Sequence, residues 1–398
     1  MNIKKTISIC CLLLMGIPFL HAQVAEDINS VIMTGKDSAW YAAQAKLWEK
    51  EVAENPQSER AWYNLFEANR YLKFWFQTYE EPADTSKFII RRMERAIPET
   101  FTYHYCHYQM QQMAFCPHAE KALKMIPKDV APGIADGLLG YLWRTGRADG
   151  QGELRTLFDH LLQQQYERRF YPNFALHYSY NQLEALPENA IYIGYGDLDL
   201  FPKIMMQRAL GIHRDKAIVV SSFLSIPAYT DSLCQRLGIA PYKPMDRGDS
   251  TWINDSAYEM GFIEYLAQHT KRPIYLEAAL GRTYKTLADK LYREGLLLKY
   301  SKKPYDNISA SKTAIEKKYK LEYLSEPNFQ PEVYWKGSEM IQVNYVVLLG
   351  SFIKTYREEG NTLRAKWLEN ILRSSIENTR LPKETKATYL KHLNQYCQ

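Results

Sequence analysis

Four groups of residues have the types and spacing to do chemistry. In "HYCHYQMQQMAFCPH", residues 104–118, five soft ligands crowd together: His104, Cys106, His107, Cys116 and His118. His104 and His107, three apart, could share a helical face, and zinc accepts mixed imidazole and thiolate sets. The spacing matches no familiar zinc motif. A Cys106–Cys116 disulfide, or plain packing by Tyr103, Tyr105 and Tyr108, explains the stretch as well. In "AIYIGYGDLDLFPKIMMQRALGI", residues 190–212, Gly194 and Gly196 lead into Asp197 and Asp199, with Pro202 close behind. Two carboxylates at i and i+2 in a loop can hold a hard cation such as Mg²⁺ or Ca²⁺. The same residues suit a plainer job. The glycines permit a tight turn, either aspartate can cap the following helix, and Pro202 is tolerated in a first turn. A phosphate fingerprint is absent: "GYGDLD" lacks the third glycine and has carboxylates where they would repel an anion.

The other two groups are sparser. "VVSSFLS" puts Ser221 and Ser222 at a strand end, with His213 and Asp231 nearby in sequence, but without the G-x-S-x-G frame of a nucleophile elbow. Glu277 falls in an apolar strand and could face the same crevice as Asp197, where burial would perturb its pKa. A salt bridge to Arg282 or Arg208 is the alternative for Glu277.

The elements that must position these side chains follow from hydrophobic periodicity. Residues 23–185 read as helical hairpins. "WYAAQAKLWEKEVAENP" carries Trp40, Ala43, Leu47 and Val52 at helical spacing and stops at Asn55-Pro56. Ser58 is the expected N-cap of the next helix. The proline and aromatic pattern at Trp48, Pro56, Trp62 and Leu65 resembles the tetratricopeptide repeat, although the prolines at 56, 98 and 127 are irregularly spaced. Residues 186–305 alternate strands (190–195, 217–224, 272–279, 296–300) with helices (202–210, 227–237, 257–269). That alternation predicts a parallel sheet with helical crossovers. Ligands in such sheets bind beyond the carboxyl ends of the strands, where Asp197 and Asp199 would lie. The stretch 241–255 reads as a loop, and residues 306–398 return to helices, with "GSEMIQVNYVVLLGSFIKTYREEGN" as one long helix. The expected fold is therefore α/β plus all-α: a small parallel-sheet domain flanked by tetratricopeptide-like hairpins.

Two blocks of the α/β region resemble the extramembrane segment of an uncharacterised bacterial family of multi-pass membrane proteins related to protein O-mannosyltransferases. The first block fits at Gly196, Asp197, Asp199, Pro202, Gly211, Ile212, Asp215, Val219, Val220 and Ser222; the second fits at Arg272, Pro273, Ile274 and Tyr275. The resemblance covers about 110 residues. Leu198 stands where the family usually has Asn, which removes a polar ligand. The family's transfer chemistry belongs to its membrane part, so the resemblance implies a related periplasmic α/β domain and carries over no catalytic residue.

Compartment and partners are bounded by composition. Lys4 and Lys5, the apolar run from Ile7 to Leu20 and the small residue Ala22 read as a secretory signal peptide over residues 1–22, with the mature chain starting near Gln23. Acylation at Cys10 or Cys11 is the alternative. No later stretch is long and apolar enough to span a membrane. The chain has 50 basic and 45 acidic side chains, so losing Lys4 and Lys5 lowers its +5 charge to +3, which gives no footing for nucleic acid. No motif implies a cofactor. The expectation is an exported accessory or interaction protein, periplasmic or secreted, with a protein partner in the cell envelope. The competing expectation is a metal-assisted enzyme or a sugar- or phosphate-binding module at Gly196–Asp199, with Ser222 and Glu277 as further contacts.

Overall fold

The computed structural model describes residues 24–29, 36–76, 85–111, 115–150, 152–243, 256–326 and 338–397. The expected signal peptide and most of the 241–255 loop lie outside them. The chain packs as two units, residues 36–111 with a few short neighbouring segments, and residues 126–398 with residues 112–119.

The first unit is built of successive helices packed on one another: α1 (Ser38–Glu54), α2 (Glu59–Tyr71), α3 (Thr85–Ala96) and α4 (Phe101–Gln111). Asp37 caps α1 by accepting from the Trp40 amide at 2.9 Å. Ser58 caps α2 as its sequence position predicts, accepting from the Ala61 amide at 3.2 Å. The connection is closed by the Trp62 indole, which donates to the Pro56 carbonyl at 2.8 Å. The core is aromatic, with Tyr41, Trp48, Trp62 and Phe66 buried. A helix α5 (Pro117–Lys124) has its first residues in the second unit and its last in the first.

The second unit takes in the residues from 126 onward. Helices α6 (Pro132–Arg144), α7 (Glu153–Glu167) and α8 (Asn173–Ala185) therefore belong with the sheet. The reason is packing against α9 (Asp197–Ala209). Trp143 of α6 meets Phe201 edge-on at 5.3 Å between centroids, and Arg208 lies over the Phe158 ring of α7. Strands β1 (Ile191–Gly194), β2 (Ala217–Val220), β3 (Ile274–Glu277), β4 (Leu291–Glu294) and β5 (Leu297–Tyr300) form one five-stranded sheet in the order β2-β1-β3-β5-β4. β1 is parallel to β2 and β3, and every residue of β1 and β2 is buried, as parallel strands covered on both faces require. The sheet is mixed, not purely parallel. β5 runs antiparallel to both β3 and β4. Gly295, at φ 61°, opens the two-residue turn between β4 and β5, a conformation that lets a hairpin form where a crossover was expected.

Helices α10 (Pro227–Leu237) and α11 (Ser256–His269) connect β2 to β3, and a short α12 (Leu280–Thr283) follows β3. After the sheet come α13 (Asn307–Thr313), α14 (Ser338–Leu349), α15 (Ser351–Glu358), α16 (Thr362–Glu377) and α17 (Lys383–Tyr396). The single long helix expected over 337–361 is two, broken at Gly350, where a Cβ would lie 2.7 Å from the Tyr396 ring. These helices share a core with α8. Asn181 donates to the Tyr345 hydroxyl at 2.8 Å, and Leu198 packs against the same cluster. The leucine side chain at 198 thus serves packing. Among the described residues no helix is long and apolar enough to cross a membrane.

Candidate functional site

The strand order places a topological switch between β1 and β3. The connection leaving β1 goes to β2 on one side, and the chain leaving β3 goes on to the hairpin on the other. Such a switch opens a crevice at the carboxyl ends of the two strands. Asp199 follows β1 and Glu277 ends β3, so both sit there.

The loop between β1 and Asp199 is shorter than the sequence suggests. Gly196, at φ 88°, lets the chain turn within two residues, Tyr195 and Gly196, and α9 starts at Asp197, five residues before Pro202. Asp197 and Asp199 therefore occupy the first helical turn, where carboxylates suit the positive end of the helix dipole. Neither caps it as expected: Gly196 holds the N-cap position with no side-chain cap bond, and Pro202 lies inside the helix. The Asp199 carboxylate is turned into the fold. The Tyr192 hydroxyl of β1 donates to its Oδ2, and the Lys203 ammonium, one helical turn on, donates to its Oδ1 at 2.9 Å. Lys203 also stands 4.7 Å over the Tyr192 ring. Its side chain is fully buried and that of Asp199 is 14% exposed. Gly194 makes this approach possible, because a Cβ there would lie 2.7 Å from Asp199 Oδ2 and 2.6 Å from the Tyr192 ring.

Burial pushes the Glu277 carboxyl up to about 7, with the Asp199 charge adding to the effect and Lys203 opposing it. The Ala279 amide donates to Glu277 at 3.2 Å. Neither Arg282 nor Arg208 pairs with Glu277. Arg208 is held by Asp149 at 3.1 Å on the other side of the unit. Burial lowers the Lys203 pKa, and Asp199 opposes the shift. The result is a Tyr192–Asp199–Lys203 cluster with Glu277 beside it, whose carboxyl is able to hold or release a proton near neutrality.

Asp197 belongs to a different pair. Desolvation raises its pKa, and desolvation first, with the Asp197 charge second, pushes half-buried Asp136 of α6 up to about 7. The Tyr171 hydroxyl donates to Asp136 at 3.4 Å. Lys203, Tyr192 and Asp136 were missed by sequence reading. Lys203 alone had a signal, its i,i+4 spacing from Asp199.

Ser222 sits in a tight turn (Ser221–Phe223) after β2, but it is Ser221 that joins a hydrogen-bonded chain through Tyr284 to Glu259, the last link at 2.7 Å. His213 lies before β2, at the opposite end of the strand from Ser221 and Ser222, and pairs with Glu184 at 2.9 Å, so no triad forms. Cys106 and Cys116 are buried thiols and are not bridged to each other. His104 is buried and bonds to Glu99 at 3.2 Å. Among the described residues no group of three or more His, Cys, Asp or Glu side chains is placed to hold a metal ion. The candidates His104, His107, Cys116 and His118, and the pair Asp197 and Asp199, therefore form no such set.

No protein-family model, curated protein or solved structure matches this chain.

Proposed function

We propose that the chain is an exported accessory or interaction protein of the bacterial cell envelope, acting by binding and not by catalysis, in the setting of envelope glycosylation. One observation carries this reading. The Asp199 carboxylate, which a metal-assisted reaction would need, is occupied by Tyr192 and Lys203. The two-block resemblance supports the envelope setting, and hairpins of tetratricopeptide type are suited to docking other chains. The test is thermal unfolding of the exported protein with Mg²⁺ and with Ca²⁺. No shift is expected. A midpoint that rises with either of them, and an Asp199→Asn variant that does not respond, would overturn the binding-only reading.

A second reading is favoured by Glu277. A carboxyl held near neutrality at a switch point is how acid–base sites in α/β folds are built. It makes the same cluster a subsite for a polar ligand. A saturable sugar response lost in Glu277→Gln supports it, and a response equal in wild type and variant removes it.

A further inference from the structure

A cleft of about 420 Å³ lies at the amino ends of β2 and β3, the opposite end of the strands from Asp199, and shares no residue with that site. Six cationic side chains line it, with three carboxylates: Asp149, Asp159 and Asp215. The carboxylates are already engaged. Arg208 reaches Asp149 at 3.1 Å and Asp159 at 3.5 Å, Arg236 reaches Asp149 at 2.5 Å, and Lys216 reaches Asp215 at 3.3 Å.

Three guanidiniums remain. Among the described residues Arg155, Arg214 and Arg272 have no carboxylate within ion-pair distance. Arg214 donates Nε to the Gln207 carbonyl at 3.0 Å, which leaves both terminal nitrogens for another acceptor. Arg272 donates to the carbonyls of Asn189 at 2.5 Å and Asp215 at 2.8 Å, contacts that fix its position without neutralising it. Burial, and then repulsion from Arg236, hold Arg272 below the usual guanidinium range.

A duller account has the arginines serving helix carboxyl ends, since Arg208 and Arg236 fall in the last turns of α9 and α10. Two such ends contribute about one negative charge together. Against three unpaired guanidiniums that leaves an excess of about +2, which suits a phosphate dianion. The volume is within the range of small-molecule sites, and guanidinium forks match phosphate oxygens.

We infer that this cleft binds the phosphate or diphosphate group of a small soluble ligand, through Arg155, Arg214 and Arg272. The test titrates inorganic phosphate, pyrophosphate and glucose 1-phosphate into the full chain at constant ionic strength, read by calorimetry and by thermal shift. Saturable binding is expected, tightest for pyrophosphate. An Arg155→Gln/Arg214→Gln variant is expected to weaken it about tenfold or more while its anion-free unfolding midpoint stays unchanged. Arg272→Lys, which keeps the charge and loses the fork, is expected to fall between. A response reproduced by sodium chloride alone, or equal in wild type and double variant, would overturn the site. Co-sedimentation with phosphatidylglycerol vesicles without any response to glucose 1-phosphate would assign the cleft to a lipid headgroup and overturn the soluble ligand.

Discussion

At the carboxyl ends of β1 and β3, a fully buried lysine is paired with the Asp199 carboxylate, which also accepts from Tyr192, and burial pushes the Glu277 carboxyl up to about 7. At the amino ends of β2 and β3, six cations face three carboxylates, and Arg155 and Arg214 are exposed. The first arrangement is closed: each charge already has its partner, and removing one strands another in low dielectric. The second is open: Arg214 and Arg272 are held by backbone carbonyls, and Arg155 stands exposed. The expected position for a ligand in an α/β sheet, the carboxyl end, is here given over to structure. The charge able to take a ligand then lies elsewhere.

The closed end is tested by its largest effect. Lys203→Met leaves the Asp199 carboxylate buried beside Tyr192 without its cation, and losing one partner of a buried pair costs about 3–5 kcal/mol. Chemical denaturation should show that loss, and Asp199→Asn/Lys203→Met should recover most of it, because asparagine still accepts from Tyr192. A loss comparable to a surface substitution would mean that water reaches Asp199, and the contrast between the two ends would fail.

The next effect is a pH dependence. The Glu277 carboxyl rises from its ordinary 4.5 to about 7 in the folded chain. Between those values the unfolded chain loses the proton and the folded chain keeps it. Stability therefore falls as pH rises through this window and is flat above it, by on the order of 3 kcal/mol. Asp136, also held at about 7, adds a decline of the same sign from lower pH. Unfolding free energy measured from pH 4 to 8 should show the fall, and Glu277→Gln should remove its share. A Glu277→Gln profile that overlays wild type would place Glu277 in solvent.

Much of the sheet was legible because its strands are short, continuous apolar runs between helical periods, as at Ile191–Ile193 and Ala217–Val220. β4 was not, since "LYRE" is half polar and is defined only by pairing with β5 across the Gly295 turn. Asp199 and Glu277 were legible as candidates from their positions at strand ends. Their partners were hidden for different reasons. Tyr192 looks like any buried strand residue, and the Asp136–Asp197 pair joins positions that only tertiary packing brings together. The start of α9 was misplaced because the turn takes only Tyr195 and Gly196, so Pro202 falls inside the helix instead of opening it. The basic cleft left no linear signal at all. Its residues come from separated stretches around 149–159, 204–218, 236 and 272, and the densest, Arg214-Asp215-Lys216, carries its own carboxylate.

The smallest expected effect belongs to the open end and is as informative as the largest. Arg155 is exposed and has no carboxylate partner among the described residues. Removing it takes away no buried contact and strands no other charge. Arg155→Gln should therefore change stability by no more than about 0.5 kcal/mol, the range of ordinary surface substitutions. Mutual repulsion in the cleft makes a slight gain the expected sign at low salt, shrinking as salt screens the cluster. Denaturation midpoints of wild type and variant at low and at physiological ionic strength read both features. A loss well beyond that range would show that Arg155 is built into the fold as Lys203 is. The two ends of the sheet would then be two versions of one internal charge cluster, and the surplus at the amino end would no longer be available to a ligand.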